Sequence, residues 1–296
     1  MKLIALIFGL GLERIATQVL HLRELRWFDP YFDFGLDSLR GANIWLVYPG
    51  SILLVLLPLI PVAWASRALL QTGVAWDLPY LLFAVLVLFF CLGPRDLAAE
   101  VEEYCQALAD SDADKAERVL TDLCEVEHSG AKDVIAVEEA IFVQATHRFF
   151  GVVFWFIVLG PVGAWLFRVS DLLRRRATTI GVSDPERVTP ALSAIEAVIG
   201  ALAWLPARLA VLGYALSGNF DEAVNCWRQY ELKSDLPFHH SNDQVVACVG
   251  KAAMGGTAAD ISDPSVAARR AMQLVFRTLF ISVTVIAVMT LFGWAV

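Results

Sequence analysis

Residues 196–214 read EAVIGALAWLPARLAVLGY, a stretch that combines membrane-grade hydrophobicity with a glutamate, a proline and an arginine. An ionisable side chain at bilayer depth costs at least about 2.5–3.5 kcal/mol, so Glu196 and Arg208 persist there only where they face protein or a polar cavity. We therefore predict a functional site in this segment. The alternative is a helix lying flat in the interface, with the Arg208 side chain reaching the lipid headgroups.

The composition of the whole chain is typical of an integral membrane protein. Of the 296 residues, 57% are hydrophobic and only 18% are charged, and the mean hydropathy is +0.60. The formal net charge of -8 argues against nucleic-acid binding, because a protein that neutralises phosphates needs a basic surface. We predict an all-α membrane protein with four to five hydrophobic helices, some of them broken or re-entrant.

Apolar runs mark the individual hydrophobic helices. Residues 44–65 are long enough to cross a hydrocarbon core, which takes about 20 helical residues, and residues 78–92 follow them closely. Residues 272–296 form a third span after a basic pair. Residues 1–12 have no small-residue cleavage site after them, so we expect a retained anchor or a buried helix.

The apolar run at 149–169 is interrupted by Gly160-Pro161-Val162-Gly163, where proline removes a backbone donor and favours a kink or a break. If this run crosses the bilayer, the arginines that follow it place its C-terminal end in the cytoplasm and the acidic loop outside. If it re-enters, both of its ends face the cytoplasm, and its irregular backbone is buried or lines a cavity. We favour the re-entrant or broken form and a cytoplasm-facing polar insertion.

We predict one membrane domain over residues 1–296, with two polar segments. The first, at 94–147, has apolar positions at helical spacing between residues 97 and 123, on both sides of an Asp-Ser-Asp turn. This pattern predicts an amphipathic helical hairpin, whose apolar stripe is a packing surface or a docking surface for a protein partner. The second, at 217–271, is a helical or loop segment before the last membrane helix.

The five cysteines show no CxxC spacing and have no histidine cluster nearby, so we expect reduced core cysteines and no zinc site. His239 and His240 are adjacent but lack further ligands, and we predict no metal. The sequence contains no GxxxxGK[ST] phosphate loop. No cofactor is predicted.

Several motifs, spread over almost the whole chain, resemble the AmpE family of bacterial β-lactamase induction. They are Glu13-Arg14, Thr146-His147-Arg148-Phe149-Phe150 with Phe154-Trp155, Trp204-Leu205-Pro206-Ala207-Arg208-Leu209 and Tyr214-Ala215-Leu216. The resemblance implies a multi-pass protein of the bacterial inner membrane that modulates β-lactamase induction in connection with cell-wall recycling. It makes an anionic muropeptide or a lipid-linked intermediate a plausible ligand.

More distantly, the chain resembles the CobD/CbiB membrane enzymes of cobalamin biosynthesis, which form an amide on cobyric acid. Ala136-Val137-Glu138-Glu139 carries part of this resemblance, but Gly250-Lys251 replaces the Pro-Glu pair that precedes Ala-Ala in those enzymes. A carboxylate lost from an amide-forming site removes a metal contact or a general base. We therefore expect no cobalamin reaction and lean toward a protein without catalysis. The alternative is a membrane enzyme that acts on an altered substrate.

Charged residues that the fold brings to the membrane are the candidates for ligand binding. Arg148 and Arg208 offer bidentate contacts to an anionic ligand. The alternative is a buried ion-pair network that fixes helix packing. The full set of candidates is Glu13, Arg14, Glu139, Arg148, Glu196 and Arg208, with Glu138 beside them.

Overall fold

The structure is a computed structural model that describes residues 28–40, 43–71, 78–92, 97–124, 133–233, 241–255 and 263–292. These residues form helices joined by turns, with no β-strand among them, which confirms the all-α prediction. A π-helical turn, Thr146–Phe150, connects α7 to α8. The α-helices are α1 (Asp29–Leu39), α2 (Ile44–Leu56), α3 (Leu59–Leu70), α4 (Leu78–Cys91), α5 (Leu97–Ala109), α6 (Ala113–Cys124), α7 (Val134–Ala145), α8 (Gly151–Leu159), α9 (Pro161–Ser183), α10 (Pro185–Ser217), α11 (Phe220–Lys233), α12 (Ser241–Ala253) and α13 (Pro264–Leu291).

Within the described ranges, four helical stretches are long and apolar enough to cross a membrane, and α4 is a shorter apolar helix. A helix satisfies its backbone hydrogen bonds internally, which is the condition for crossing the hydrocarbon core. The predicted number of four to five hydrophobic helices is confirmed. The four long stretches are Trp45–Leu70, Val134–Leu159, Ala191–Ser217 and Pro264–Thr290.

The predicted break at Gly160-Pro161 is also confirmed. Helix α8 ends at Leu159, Gly160 has a φ of +69°, and α9 begins with Pro161. Glycine adopts the positive φ without a steric penalty, and a proline at the first helical position loses no intrahelical hydrogen bond. The apolar run at 149–169 therefore consists of two helices, of which the first completes the Val134–Leu159 stretch.

The chain clusters into two compact units, and the first comprises Met1–Pro94, Gly151–Ala203 and Gly293–Val296. In this unit α8 packs closely on α9. Gly151 of α8 permits this contact, because the Phe167 ring of α9 fills the space that a larger side chain at position 151 would occupy. Arg176 on α9 donates two hydrogen bonds to Asp33 on α1, at 2.8 and 2.7 Å. The division into one membrane domain with polar segments at 94–147 and 217–271 stays a prediction.

A buried charge cluster stabilises α9 in the first unit. The Asp171 carboxylate is fully buried and accepts hydrogen bonds from Arg168, Arg174 and Arg175 at 2.9–3.2 Å. The four residues lie within about two helical turns, so the contacts follow from i, i+3 and i, i+4 spacing. Burial of an ionised group needs such partners, because an unpaired charge in the interior is costly.

The second unit comprises Arg95–Phe150 and Trp204–Phe292. Its helices α5 and α6 form the predicted amphipathic hairpin, in which Val101, Tyr104, Leu120 and Leu123 are buried on the apolar stripe. Burial of the Tyr104 hydroxyl, together with nearby acidic groups, raises its pKa to about 12. The stripe is therefore a packing surface within the unit.

The expectation of five reduced cysteines is wrong for one pair. Cys226 on α11 and Cys248 on α12 form a disulfide across a sequence separation of 22 residues. Cys91, Cys105 and Cys124 are free thiols. A search for CxxC spacing detects only local pairs, whereas the antiparallel packing of α11 and α12 brings two distant cysteines together.

Candidate functional site

Two polar links join α7 and its following π turn to α12 in the second unit. Glu139 on α7 forms an ion pair with Lys251 near the C-terminal end of α12. Eight residues later, His147 Nε2 lies 2.9 Å from Asp243 Oδ1 in the first turn of α12. The numbering rises along α7 while it falls along α12, so the two helices are antiparallel. Eight helical residues correspond to roughly 12 Å, and the two links fix the register over that length.

A glycine allows these helices to approach closely between the two links. A Cβ added at Gly250 would lie 2.5 Å from the ring of Phe142. The same ring packs edge-on against Tyr214 of α10, with the ring centroids 5.0 Å apart at an interplanar angle of 67°. This contact sets the distance between α7 and α12, and with it the position of the α12 first turn.

The π turn Thr146–Phe150 directs polar side chains into the second unit. All five of its residues are buried. The Thr146 hydroxyl donates to the carbonyl of Phe142 at 3.0 Å, at the point where the α-helix changes to a π-helix. Single π turns within α-helices occur frequently at functional sites. Here the turn carries His147 and Arg148 next to each other.

Arg148 is buried and has an acidic partner. Only 5% of the residue is exposed. Its Nη1 donates to Glu100 Oε2 at 2.7 Å, and its Nε donates to Gln144 Oε1 at 3.0 Å. Gln144 in turn donates to the carbonyl of Leu123 at 2.9 Å. These contacts connect the π turn to the α5–α6 hairpin, and they favour the ion-pair alternative for Arg148.

Arg208 on α10 has different surroundings. Its Nη1 donates to Asn242 Oδ1 at 2.7 Å, and its guanidinium carbon lies 5.4 Å from the ring centroid of Trp204. The partner is neutral in both of these contacts, and the arginine is only half-buried. An amide acceptor and an aromatic face orient a guanidinium without cancelling its charge. These two contacts therefore differ in kind from the carboxylate pairing of Arg148.

The first turn of α12 brings the Arg208 and His147 contacts together. Ser241 and Asn242 are buried at the start of this helix, and the next residue, Asp243, contacts His147. The first N–H groups of a helix have no intrahelical acceptor, and the helix dipole favours negative charge at that end. Helix N-termini with a neighbouring cation are therefore common anion-binding sites.

The two glutamates of α7 precede Phe142, whereas the π turn with His147 and Arg148 follows it. Glu138 is 4% exposed, whereas Glu139 is half-buried and paired with Lys251. Lys251 is the residue that replaces the glutamate of the Pro-Glu pair in the CobD/CbiB resemblance. An ammonium group therefore neutralises Glu139.

Three of the six candidate residues lie in the second unit: Glu139 on α7, Arg148 in the π turn and Arg208 on α10. Glu196 is half-buried on the part of α10 that belongs to the first unit. Glu13 and Arg14, like His239 and His240, lie outside the described residues. No group of three or more His, Cys, Asp or Glu side chains that could hold a metal ion occurs in the described part of the chain. Ligand binding by the six candidates stays a prediction.

The partners of these residues were missed by the sequence analysis. Gln144 lies four residues before Arg148, so helical spacing could have suggested that contact. Glu100 lies 48 residues away from Arg148, and only the tertiary fold brings the two together. Asp243 and Lys251 are placed by the antiparallel register of α12 against α7, for which the sequence carries no local signal.

Comparison with known proteins gives matches of two kinds. The family described as "Regulatory signalling modulator protein AmpE" matches residues 1–296, and "Protein AmpE" of Shigella flexneri is 25% identical over 231 residues, which cover 75% of this chain and 77% of that protein. "Cobalamin biosynthesis protein CobD" of Stutzerimonas stutzeri (strain A1501) is 30% identical over 209 residues, 68% of this chain and 63% of the relative.

The corresponding CobD of Chromobacterium violaceum is also 30% identical, over 223 residues that cover 73% of this chain and 64% of the relative. The chain therefore spans less than two thirds of the length of these two CobD proteins. No solved structure matches the chain.

Proposed function

Because the chain belongs to the AmpE family of regulatory signalling modulators, we propose that it modulates β-lactamase induction from the bacterial inner membrane by binding an anionic ligand at Arg208. The observation that carries the proposal is the position of the Arg208 guanidinium at the first turn of α12, bonded to Asn242 and stacked near Trp204. Arg208 lies on the Ala191–Ser217 stretch, which is long and apolar enough to cross a membrane.

The energetic cost of placing Arg208 in this stretch supports a functional role. An arginine at the centre of a membrane helix is unfavourable by about 2.5–3.5 kcal/mol or more. Arg148, by comparison, is buried and paired with the carboxylate of Glu100. Arg208 instead contacts an amide and an indole ring while remaining half-buried.

The chemistry of the site favours a carboxylate or phosphate as the ligand group. A guanidinium binds both groups in bidentate fashion, and N–H groups at the start of a helix are further donors to an anion. An anionic muropeptide supplies carboxylates, and a lipid-linked cell-wall intermediate supplies phosphate. Both are consistent with a link to cell-wall recycling. The Trp204 ring offers an apolar surface for the remainder of either molecule.

A thermal-shift screen of the purified protein in detergent tests the proposal. The ligands are an anhydro-muropeptide, undecaprenyl phosphate, a nucleotide and cobyric acid. A ligand that binds the native state at 100 times its Kd stabilises it by about 2.7 kcal/mol. We expect stabilisation by a cell-wall compound, its loss in Arg208→Ala, and its retention in Arg228→Ala.

Arg228 is a matched control because it is an exposed arginine on the neighbouring α11. Equal stabilisation of the wild-type protein and folded Arg208→Ala contradicts the proposed site. A partial loss in Arg208→Lys, which keeps the charge but not the planar fork, identifies the bidentate contact as the origin of affinity.

A membrane enzyme with a CobD-like scaffold is the second candidate function. It is favoured by the two CobD relatives at 30% identity and by the buried Glu138 beside Glu139. An enzyme is expected to lose turnover in Glu139→Gln or Asn242→Ala, whereas a signalling protein has no turnover to lose. Stabilisation by cobyric acid or a nucleotide, followed by product formation, would favour the enzyme.

A protein partner at residues 97–123 is also a proposal. The apolar stripe of the α5–α6 hairpin is buried within the second unit, so a partner would contact the opposite, polar face. That face carries exposed acidic residues, including Glu102 and Asp114. A partner of basic surface fits this charge, and its binding is expected to weaken with increasing salt.

A further inference from the structure

Helices α11 and α12 form an antiparallel pair that is linked at three positions along its length. The covalent link lies in the middle, between Cys226 and Cys248, whose Cα atoms are 6.4 Å apart. A hydrogen bond lies at each end of the pair. At one end the Asn219 N–H donates to the Ala253 carbonyl at 2.7 Å, and at the other the Tyr230 hydroxyl donates to Gln244 Oε1 at 3.1 Å.

Few side chains of α11 are fully buried. Among residues 220–230, Ala223 is the one buried side chain, and Phe220 is 54% exposed. Segments with few buried apolar side chains open at low free energy. By contrast, eight residues of the twelve-residue α7 are buried. The disulfide therefore adds a covalent constraint to the contacts that keep α11 on α12.

The disulfide is accessible from outside the protein. Cys226 and Cys248 are half-buried and line an open cavity of about 420 Å³, together with Glu222, Asn225, Gln229 and Tyr230. A cavity of this size admits a small dithiol. Accessible disulfides are the ones that exchange with external thiols, whereas enclosed ones resist reduction.

We propose that Cys226–Cys248 is a site of thiol–disulfide exchange that sets whether α11 is docked on α12. The reductant is a dithiol. One of its thiolates attacks a sulfur of the bridge, which forms a mixed disulfide and releases the other cysteine as a thiol. The second thiolate of the reductant then displaces the remaining cysteine. Two electrons and two protons pass to Cys226 and Cys248, and the dithiol becomes a disulfide.

The inference rests on the α11–α12 geometry and stands apart from anion binding at Arg208. Its specificity follows from the surroundings of the other thiols. Cys91 and Cys105 are buried, and Cys124 is half-buried with its thiol directed toward the carbonyl of Ala136. A free thiol of this kind offers no bridge to break, so Cys124→Ser is the matched control for substitution of a bridge cysteine.

Thiol labelling followed by hydrogen exchange tests the proposal on the full-length protein in detergent. The native protein is treated with N-ethylmaleimide before and after dithiothreitol, and labelled peptides are identified by mass spectrometry. We expect Cys226 and Cys248 to be labelled only after reduction without denaturant. Amide protection of α11 is expected to fall by at least about tenfold on reduction, while that of α7 is unchanged.

Cys226→Ser is expected to reproduce the reduced state without dithiothreitol, and Cys124→Ser is expected to keep the protection of α11. The reduced wild-type protein provides the same comparison if Cys226→Ser does not fold. Labelling of both cysteines before reduction, reduction only in denaturant, or unchanged protection of α11 would each overturn the inference. None of these results depends on whether an anion binds at Arg208, so the two proposals are tested separately.

Discussion

The contacts of Arg148 and Arg208 in the second unit differ in kind. Both residues interrupt apolar helical stretches. The sequence made both of them candidates for ligand contact, with a buried ion-pair network as the alternative. Arg148 is 5% exposed and bonded to the Glu100 carboxylate and the Gln144 amide. Arg208 is half-buried, bonded to an amide and stacked near an indole ring.

The comparison teaches that depth in an apolar helix identifies a constrained arginine but not its role. The partner decides the role, because a carboxylate neutralises the guanidinium whereas an amide or an aromatic ring only orients it. Arg148 then belongs to the packing of the second unit, and Arg208 remains the candidate for binding. The variants below test this distinction.

Substitution of Arg148 by alanine is expected to have the largest effect. It leaves the Glu100 carboxylate, whose side chain is 12% exposed, without its cation. Breaking a buried pair by removing one partner costs about 3–5 kcal/mol. Thermal unfolding in detergent should show a correspondingly lower Tm.

A paired replacement separates loss of the charge pair from loss of the residue. Glu100→Leu combined with Arg148→Met removes both charges and keeps the apolar volume. We expect most of the stability to return, because replacing both members of a buried pair is often nearly neutral. A double variant as unstable as Arg148→Ala would contradict the role assigned to the pair.

Gly250→Ala is expected to have an intermediate effect on stability. The added Cβ meets the Phe142 ring at 2.5 Å, and overpacking of this kind costs about 1–3 kcal/mol. Asn242 lies on the same helix as Gly250, so the contact with Arg208 is expected to weaken while the Arg148–Glu100 pair is retained. Chemical denaturation measures the first effect and ligand titration the second. Unchanged stability would contradict the close α7–α12 contact.

Arg208→Ala is expected to affect stability only slightly. Half-exposed charged contacts contribute up to about 1 kcal/mol, so its Tm should lie close to that of the wild-type protein. Its affinity for an anionic ligand should fall at least about tenfold, because hydrogen bonds to charged groups contribute about 1.5–3 kcal/mol. A large loss of stability would place Arg208 in the same structural class as Arg148.

Substitution of Asp263, at the start of α13, is expected to have the smallest effect on stability. This residue is remote in sequence from Arg148 and Arg208. Hydrogen bonds from the Ser265 hydroxyl and N–H lower the pKa of this exposed carboxyl. A lowered folded-state pKa gives stability that is present above the unfolded-state pKa and is lost as the pH falls through the folded value.

Asp263→Asn keeps a side-chain oxygen for the cap but removes this titration. We expect the stability difference between Asp263→Asn and the wild-type protein to be constant near neutral pH and to change only below about pH 4. Denaturation series at neutral and acidic pH measure it. A change centred near neutral pH would be inconsistent with this account.

The features that the sequence predicted correctly have local causes. Gly160 and Pro161 impose a break through their own backbone preferences. The apolar stripe of the α5–α6 hairpin repeats every three to four residues and was therefore visible as well.

The features that the sequence did not predict depend on packing between distant segments. The Arg148–Glu100 pair and the Cys226–Cys248 disulfide each join residues of different helices. Their formation requires the tertiary packing of the second unit, which no spacing rule specifies. The same reasoning explains why the sequence left ligand contact and ion pairing open for Arg148 and Arg208 alike.

Isothermal titration of the protein in lipid nanodiscs with an anhydro-muropeptide and with undecaprenyl phosphate tests the distinction between the two arginines most directly. The proteins compared are the wild type, Arg208→Ala, and the Glu100→Leu and Arg148→Met pair. We predict that the paired variant binds one of these ligands as the wild type does and that Arg208→Ala binds at least about tenfold more weakly, a difference of about 1.4 kcal/mol. Wild-type affinity in Arg208→Ala, or lost binding in the folded paired variant, would contradict the account.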